Sequence, residues 1–239
     1  MERLHVRCLG SFQFRGSSTW SSGPAFKRGR EFLEYFSAYA DRAVSRETLV
    51  EAFWPNFDGP SVAHRLHMAV SGARTALRVV VPCTEPIRSS AGRYLWHPVL
   101  DVQSDLKRFF ELAGEKTNAA MRAGVALYSG EFLAGEEADW IYPLRVRCAS
   151  TFATMLEALA DDASRRDDHA EALDYALRLA EVDRAHEGAT RIAMQAFAAL
   201  GRRGAALAEY DLLAKYLDRH LGIIPSAKTQ DLRSAIVAG

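Results

Sequence analysis

The 239-residue sequence has few cysteines, no long apolar run and no net charge. Cys8, Cys83 and Cys148 are widely spaced and form no CxxC pair, which favours reduced structural thiols over a disulfide framework or a zinc site. The longest apolar stretches, such as residues 79–83, are far shorter than the roughly 18–20 residues of a membrane span. The N-terminus alternates charged and apolar residues, unlike a signal peptide. We therefore expect a cytoplasmic protein without membrane contact.

Sequence motifs for common enzyme chemistry are missing as well. The sequence contains no GxxxxGK[ST], GxGxxG or GxSxG, the signatures of nucleotide hydrolysis, dinucleotide binding and acyl transfer. His64 and His67 have a spacing that could hold a metal, but no third ligand is close in sequence. We expect no catalysis, no cofactor and no metal site.

The net charge of zero combines two unlike halves. Residues 1–110 contain 15 Lys and Arg against 10 Asp and Glu, and residues 111–239 contain 15 against 20. The pattern changes at the same place, from short β-like runs and helices to nearly continuous helix rich in Ala and Leu. This predicts two domains, a mildly basic one at 1–100 and an acidic one at 101–239.

The first half predicts an α+β domain. Alternating residues at 4–9 and 12–14 indicate strands, helices are predicted at Lys27–Ala40 and after the N-cap Ser45, and residues 87–96 indicate a β-hairpin with a small basic tip. Helices followed by a basic hairpin are the order of a winged helix-turn-helix.

The third predicted helix, about Ser61 to Arg78, is amphipathic. One face has apolar residues at helical spacing: Ala63, Leu66, Val70, Ala73 and Leu77. The other face has side chains that can bind base edges and phosphates: His64, His67, Met68, Ser71, Arg74, Thr75 and Arg78. A solvated helix face is the alternative, and the order of elements favours DNA binding.

The second half contains an internal repeat. Ala172-Leu173 and Ala206-Leu207 are 34 residues apart, as are Leu179-Ala180 and Leu213-Ala214. This is the tetratricopeptide period, in which paired helices need their neighbours to bury apolar surface. Helices are predicted near 104–113, 118–128, 142–165, 168–182, 185–200, 203–220 and 226–237.

Several segments together resemble a known family. Val44–Pro55, the spacing from Ala63 to Leu77, Gly92–Leu95 and Leu221–Ser226 resemble SARP-type regulators (Streptomyces antibiotic regulatory proteins). The second half resembles the bacterial transcriptional activator domain of that family. The resemblance implies an OmpR-like winged helix followed by an all-α, tetratricopeptide-like domain.

The resemblance also implies a function. Such regulators bind direct repeats in double-stranded DNA upstream of promoters, usually as homodimers, and recruit RNA polymerase. Carried over by position, the helix at 61–78 is the recognition helix, and phosphate contacts come from Lys27, Arg28, Arg30, Arg46, Arg88, Ser89, Ser90 and Arg93. Gly72-Ala73 stands where family members commonly have Arg-Leu. The alternative function is an adaptor or sensor that binds a protein or small ligand in the repeat groove, with a weakened DNA-binding domain.

Overall fold

The computed structural model describes residues 1–17, 19–24, 26–39, 42–56 and 60–239. The chain divides into two compact units, which are Met1–Glu111 with Ala126–Cys148, and Leu112–Val125 with Ala149–Gly239. Residues 126–148 pack within the first unit, so the two units do not divide at a single position along the chain. The domain boundary near residue 100 stays a prediction. Among the described residues, no helix has both the length and the apolar composition to cross a membrane.

The elements follow the sequence pattern closely. The strands are β1 (Glu2–Arg7), β2 (Gln13–Arg15), β3 (Val44–Ser45), β4 (Ile87–Ser90), β5 (Arg93–Trp96) and β6 (Leu100–Ser104). The helices are α1 (Lys27–Ala38), α2 (Arg46–Phe53), α3 (Pro60–Val80), α4 (Asp105–Glu115), α5 (Asn118–Leu127), α6 (Ile141–Arg165), α7 (His169–Val182), α8 (Glu187–Ala199), α9 (Arg203–Leu221) and α10 (Ala227–Ala238). The predicted helix ends lie within two residues of these bounds, except that Ala40 lies outside the described residues.

The first unit contains two small sheets. One has the order β2-β1-β6, with β1 antiparallel to β2 and parallel to β6. The other has the order β3-β5-β4 and is antiparallel throughout. Ala91 and Gly92 connect β4 to β5 with positive φ of 48° and 71°, the backbone geometry of a tight hairpin turn. The predicted β-hairpin is therefore confirmed.

Local sequence signals explain where the helices of the first unit begin and what they bury. The Ser45 hydroxyl accepts the Thr48 N–H at 3.1 Å, which caps α2 as predicted. Phe32 and Phe36 of α1 stack in the core with ring centroids 5.4 Å apart. Helix α1 packs against the apolar side of α3. The aromatic core of this unit thereby supports the buried side of α3.

In the second unit, residues at equivalent positions of the 34-residue repeat are buried alike. Ala172 and Ala206 are both buried, and so are Leu179 and Leu213. Helices α7, α8 and α9 pack in sequence order, and α10 closes the array against α8 and α9. The predicted tetratricopeptide-like packing of helix pairs is confirmed.

Asp105, the first residue of α4, connects two distant parts of the first unit. Its carboxylate accepts the backbone N–H groups of Cys8 at 2.8 Å and Leu9 at 3.1 Å. Burial raises the pKa of this carboxyl group, against the opposing effect of the two hydrogen bonds. The bonds fix the chain just beyond β1 to the start of the helical region. Cys8, Cys83 and Cys148 are free and buried, as the sequence predicts.

A second buried carboxylate, Glu34, lies on α1. Arg30 Nε donates to Glu34 Oε1 at 2.8 Å, and Arg30 Nη2 lies 2.7 Å from Glu136 Oε1. Glu34 is fully buried, and its second oxygen has no hydrogen-bond partner. Burial raises the pKa of Glu34 to about 7, although the hydrogen bond from Arg30 lowers it. This carboxyl group therefore changes charge near neutral pH.

We expect Gly16→Ala to destabilise the first unit strongly. A Cβ atom at Gly16 would lie 1.9 Å from the Val80 carbonyl oxygen at the end of α3, so the backbone would have to move. The expected loss in the free energy of unfolding is about 2 kcal/mol or more, measured by urea unfolding. Gly114→Ala is the control, because nothing lies within 4 Å of a Cβ there and alanine favours the helix. Equal stability of Gly16→Ala and the wild type would contradict the close approach.

We expect Glu34 to make stability fall between about pH 4.5 and 7. The pKa of Glu34 is raised to about 7 from 4.5, so the folded chain holds this proton over a range in which the unfolded chain has released it. Glu34→Gln removes this titration. The variant should therefore gain about 3 kcal/mol relative to the wild type as pH rises through this window, and the difference should level off above it. Urea unfolding at a series of pH values measures it, and parallel curves would exclude the effect.

Candidate nucleic-acid interface

Helix α3 has one buried apolar face and one exposed polar face. Leu66, Val70 and Leu77 are at most 3% exposed, which confirms the predicted apolar face. None of the 21 residues of α3 is acidic. The predicted contact residues that lie exposed are His64, His67, Met68, Ser71, Thr75 and Arg78. The structure thus brings most of the predicted recognition set together on one surface.

The crossing of α1 and α3 explains the place of Gly72. This residue is half-buried, and a Cβ on it would lie 3.7 Å from the Gly29 Cα of α1 and 3.8 Å from the Phe26 ring. A shallow groove of about 460 Å³ runs beside it, lined in part by Met68 and Val79. A long side chain at position 72 would extend into this space. In the sequence, Gly72 is a position where family members commonly have arginine. In the structure, it lies where α1 and α3 contact each other.

The β4–β5 hairpin presents its polar residues next to the start of α2. Arg88, Ser89, Ser90 and Arg93 are all exposed. Ser45 pairs with Arg93 across β3 and β5, and the Arg46 N–H donates to the Gly92 carbonyl oxygen at 2.9 Å. Arg46 and Arg93 are therefore held near the same turn, although they are distant in sequence.

Arg74 has internal partners in the hairpin. Its Nε donates to the Ile87 carbonyl oxygen at 2.8 Å, and its Nη2 donates to Glu85 Oε1 at 3.3 Å. The Arg74 side chain is only 20% exposed. That Arg74 contacts bases stays a prediction. In the structure, its side chain joins α3 to the start of β4.

Arg78 makes a similar contact one turn further along α3. Its Nε donates to the Thr84 carbonyl oxygen at 2.7 Å, although the residue remains exposed. The partners of Arg74 and Arg78 are mostly backbone carbonyl groups between residues 84 and 87, and such partners leave no mark in a sequence. This explains why periodicity alone placed both arginines with the residues predicted to contact bases.

The cations at the start of α1 are partly neutralised. Lys27 and Arg28 both pair with Glu31, and the Arg28 guanidinium lies 5.8 Å from the Trp54 ring centroid. Arg30 is held by Glu34 and Glu136, as described above. The predicted phosphate contacts of α1 are therefore less available than those of Arg46, Arg88 and Arg93.

The two histidines of α3 do not form part of a larger ligand cluster. In the described portion of the chain, no group of three or more His, Cys, Asp and Glu side chains could hold a metal ion. Both histidines are exposed on the polar face of α3. Their placement suits contacts with an external partner.

Comparison with known proteins gives the family. The family model of the bacterial transcriptional activator domain matches residues 105–237, which include α4 to α9 and nearly all of α10. The regulatory protein AfsR of Streptomyces coelicolor (strain ATCC BAA-471 / A3(2) / M145) is 26% identical over 235 residues, which cover 91% of this chain and 23% of AfsR. The chain thus spans about a quarter of the length of this curated relative.

A solved structure shares the fold over the full length of this chain. EmbR of Mycobacterium tuberculosis, solved in complex with a low affinity phosphopeptide, matches with a TM-score of 0.74 at 18% sequence identity. The match covers 100% of this chain and 66% of the EmbR chain. Because the family model covers more than half of the sequence, the chain belongs to the bacterial transcriptional activator domain family, as its resemblance to SARP-type regulators implies.

Proposed function

We propose that the chain is a winged-helix transcriptional activator that binds double-stranded DNA through the exposed face of α3. One observation supports this proposal above all: the 21-residue helix α3 has an exposed polar face and contains no acidic residue, and the hairpin beside it exposes Arg88 and Arg93. A helix of this kind fits the major groove, and a basic hairpin beside it fits the phosphate backbone. Phosphates repel carboxylates, so the lack of acid on α3 suits DNA better than a merely solvated face.

The side chains divide into three roles. His64, His67, Ser71 and Thr75 offer hydrogen bonds to base edges, and Met68 offers an apolar contact for a thymine methyl group. The phosphate contacts come chiefly from Arg46, Arg88, Ser89, Ser90 and Arg93. Arg74 acts as a positioning residue that fixes the hairpin relative to α3, and Arg78 shares this role while remaining exposed.

The proposed activator binds direct repeats upstream of promoters as a homodimer and recruits RNA polymerase. The second unit supports this part through its helical-repeat architecture, since stacked helix pairs offer extended surfaces to protein partners. Residues 111–239 carry 20 acidic against 15 basic side chains, so this half is less suited to phosphate contact. Counted by unit, the first carries 17 basic against 15 acidic side chains and the second 13 against 15, so the assignment of DNA to the first unit rests on α3 and the hairpin rather than on net charge.

One observation favours the adaptor function as a second candidate. A groove of about 470 Å³ in the second unit is lined in part by Leu177, Glu209, Leu212 and Tyr216. Burial raises the pKa of Glu209, which shows that its carboxyl group is poorly solvated there. Such a groove suits a protein segment with an apolar residue beside a cation. A chain that bound such a segment and did not prefer its own upstream DNA would be an adaptor.

We expect specific and salt-sensitive binding to the upstream DNA of the chain's own gene. Fluorescence anisotropy with a duplex from this region, and with a shuffled duplex of equal length, should show affinity that falls steeply with salt on both and is at least roughly tenfold higher on the upstream duplex. Arg93→Ala should weaken binding to both and lower the salt slope by about 1. His67→Ala should cost about 1–3 kcal/mol on the upstream duplex alone.

Arg219→Ala is the control for this series, because it removes an exposed cation of α9 in the second unit. It should leave both affinities unchanged. Equal binding of the wild type to the two duplexes would contradict sequence-specific recognition, and an equal loss with Arg219→Ala would contradict the assignment of DNA contact to the first unit.

We expect Arg74→Ala to loosen the hairpin even without DNA. Loss of the bonds to Ile87 and Glu85 should speed amide hydrogen exchange in β4 and β5, measured by mass spectrometry. DNA affinity should fall on both duplexes with the salt slope unchanged, since no phosphate contact is lost. Thr75→Ala is the control for the exchange measurement alone, because its hydroxyl donates to the Ser71 carbonyl oxygen within α3. Unchanged exchange together with lost discrimination between the duplexes would instead make Arg74 a base-contacting residue.

A further inference from the structure

A separate cavity lies in the first unit, away from α3 and the hairpin. It has a volume of about 620 Å³ and is formed by the C-terminal end of α1, by α4 and by the beginning of α6. Its lining includes Ser37, Tyr39, Lys107, Phe110 and Arg147. A cavity of this size fits an organic molecule of several rings, since small-molecule sites occupy about 300–1,000 Å³.

The lining of the cavity is positively charged. Arg42, Lys107 and Arg147 contribute three cations, and Glu111 is the carboxylate among the described lining residues. Arg108 donates to that carboxylate at 3.5 Å from outside the cavity. In the part of the chain that the structure describes, neither Lys107 nor Arg147 has a carboxylate within 4.0 Å. The cavity thus holds cations whose natural complement is an anion from outside.

Two of these cations are held in place by aromatic rings. The Arg147 guanidinium lies 4.3 Å from the Phe110 ring centroid, and the Arg42 guanidinium lies 4.1 Å from the Tyr39 ring centroid. Stacking occupies the flat face of a guanidinium and leaves its N–H edge free to bind a planar oxyanion. The cations are therefore ordered before any ligand arrives, which lowers the entropic cost of binding.

The remaining lining suits the apolar body of a ligand. Leu106 and Leu144 contribute aliphatic walls beside Phe110. Ser37 adds a buried hydroxyl group without a hydrogen-bond partner. Most buried polar atoms in proteins have such a partner. Charge, apolar surface and an unpaired hydroxyl occur around one cavity.

We propose that this cavity binds a small amphipathic anion, an aromatic or aliphatic molecule that carries a phosphate or carboxylate group. The oxyanion is held by Lys107 and Arg147, and the apolar part lies against Leu106, Phe110 and Leu144. Because α1 forms one wall of the cavity and also packs against α3, such a molecule is placed to act as an effector of the proposed regulator. The site stands on its own geometry and goes beyond the proposed DNA-binding function.

The test is isothermal titration calorimetry of the full chain with 1-naphthyl phosphate. We expect saturable binding of one molecule per chain, at least roughly tenfold weaker binding of 1-naphthol, which lacks the charge, and equally weak binding of inorganic phosphate, which lacks the ring. The double variant Lys107→Glu with Arg147→Glu should lose at least roughly tenfold in affinity for 1-naphthyl phosphate. Circular dichroism checks that the variant is folded.

Lys215→Glu with Arg219→Glu is the matched control, since it makes the same change in net charge on exposed residues of α9. It should bind 1-naphthyl phosphate like the wild type. No binding at millimolar probe, equal binding of 1-naphthol, or equal losses in the two double variants would each overturn the proposal. A chain that binds the probe but shows no preference for its upstream DNA would refute the proposed function and leave this site in place.

Discussion

The hydrogen bond from Arg74 to the Ile87 carbonyl oxygen sets the geometry on which the proposed DNA-binding surface depends. Helix α3 is fixed on its buried side by α1, and the β4–β5 hairpin is connected to it directly through residues 81–86 and these side-chain contacts, and indirectly through β3 and the packing of Trp96 on Phe36 of α1. A base-contacting helix and a phosphate-contacting hairpin work together only at a constant spacing, because DNA presents groove and backbone at fixed distances. In the proposed interface, Arg74 helps to hold α3 and the hairpin at this spacing.

Helix α1 connects three features that the sequence treats separately. Its apolar side packs against α3, its Glu34 and Arg30 form a buried ion pair with Glu136 alongside, and its C-terminal end forms a wall of the cavity that contains Lys107 and Arg147. A rigid helix transmits small shifts along its length better than a loop does. An anion bound in the cavity, as proposed, and a proton on Glu34 would both act on the helix that supports α3, which gives two routes to the proposed DNA-binding surface.

Most of the fold could be predicted from the sequence, because helices and strands with one buried face leave a periodic pattern. The apolar stripe of α3, the Ser45 cap and the 34-residue repeat are all of this kind. Contacts from a side chain to a distant backbone atom leave no such pattern. The bonds of Asp105 to Cys8 and Leu9 and that of Arg74 to Ile87 could not be foreseen, since any residue supplies the backbone partner. The sequence therefore predicts the exposed face of α3, but it does not show that Arg30 and Arg74 have partners within the fold.

The count of free cations bears on how the proposed regulator would hold DNA. Residues 1–110 carry a net charge of +5, but Arg30 is engaged by two carboxylates, Lys27 and Arg28 share Glu31, and Arg74 is bound to the hairpin. Arg46, Arg88 and Arg93 remain as the main phosphate contacts of one protomer. Each neutralised phosphate adds to affinity through the release of counterions, so three contacts alone give modest binding. Two protomers on adjacent direct repeats double the number of contacts and convert the second binding event into a local one. The charge that the fold leaves available thus supports the proposed pairing on DNA.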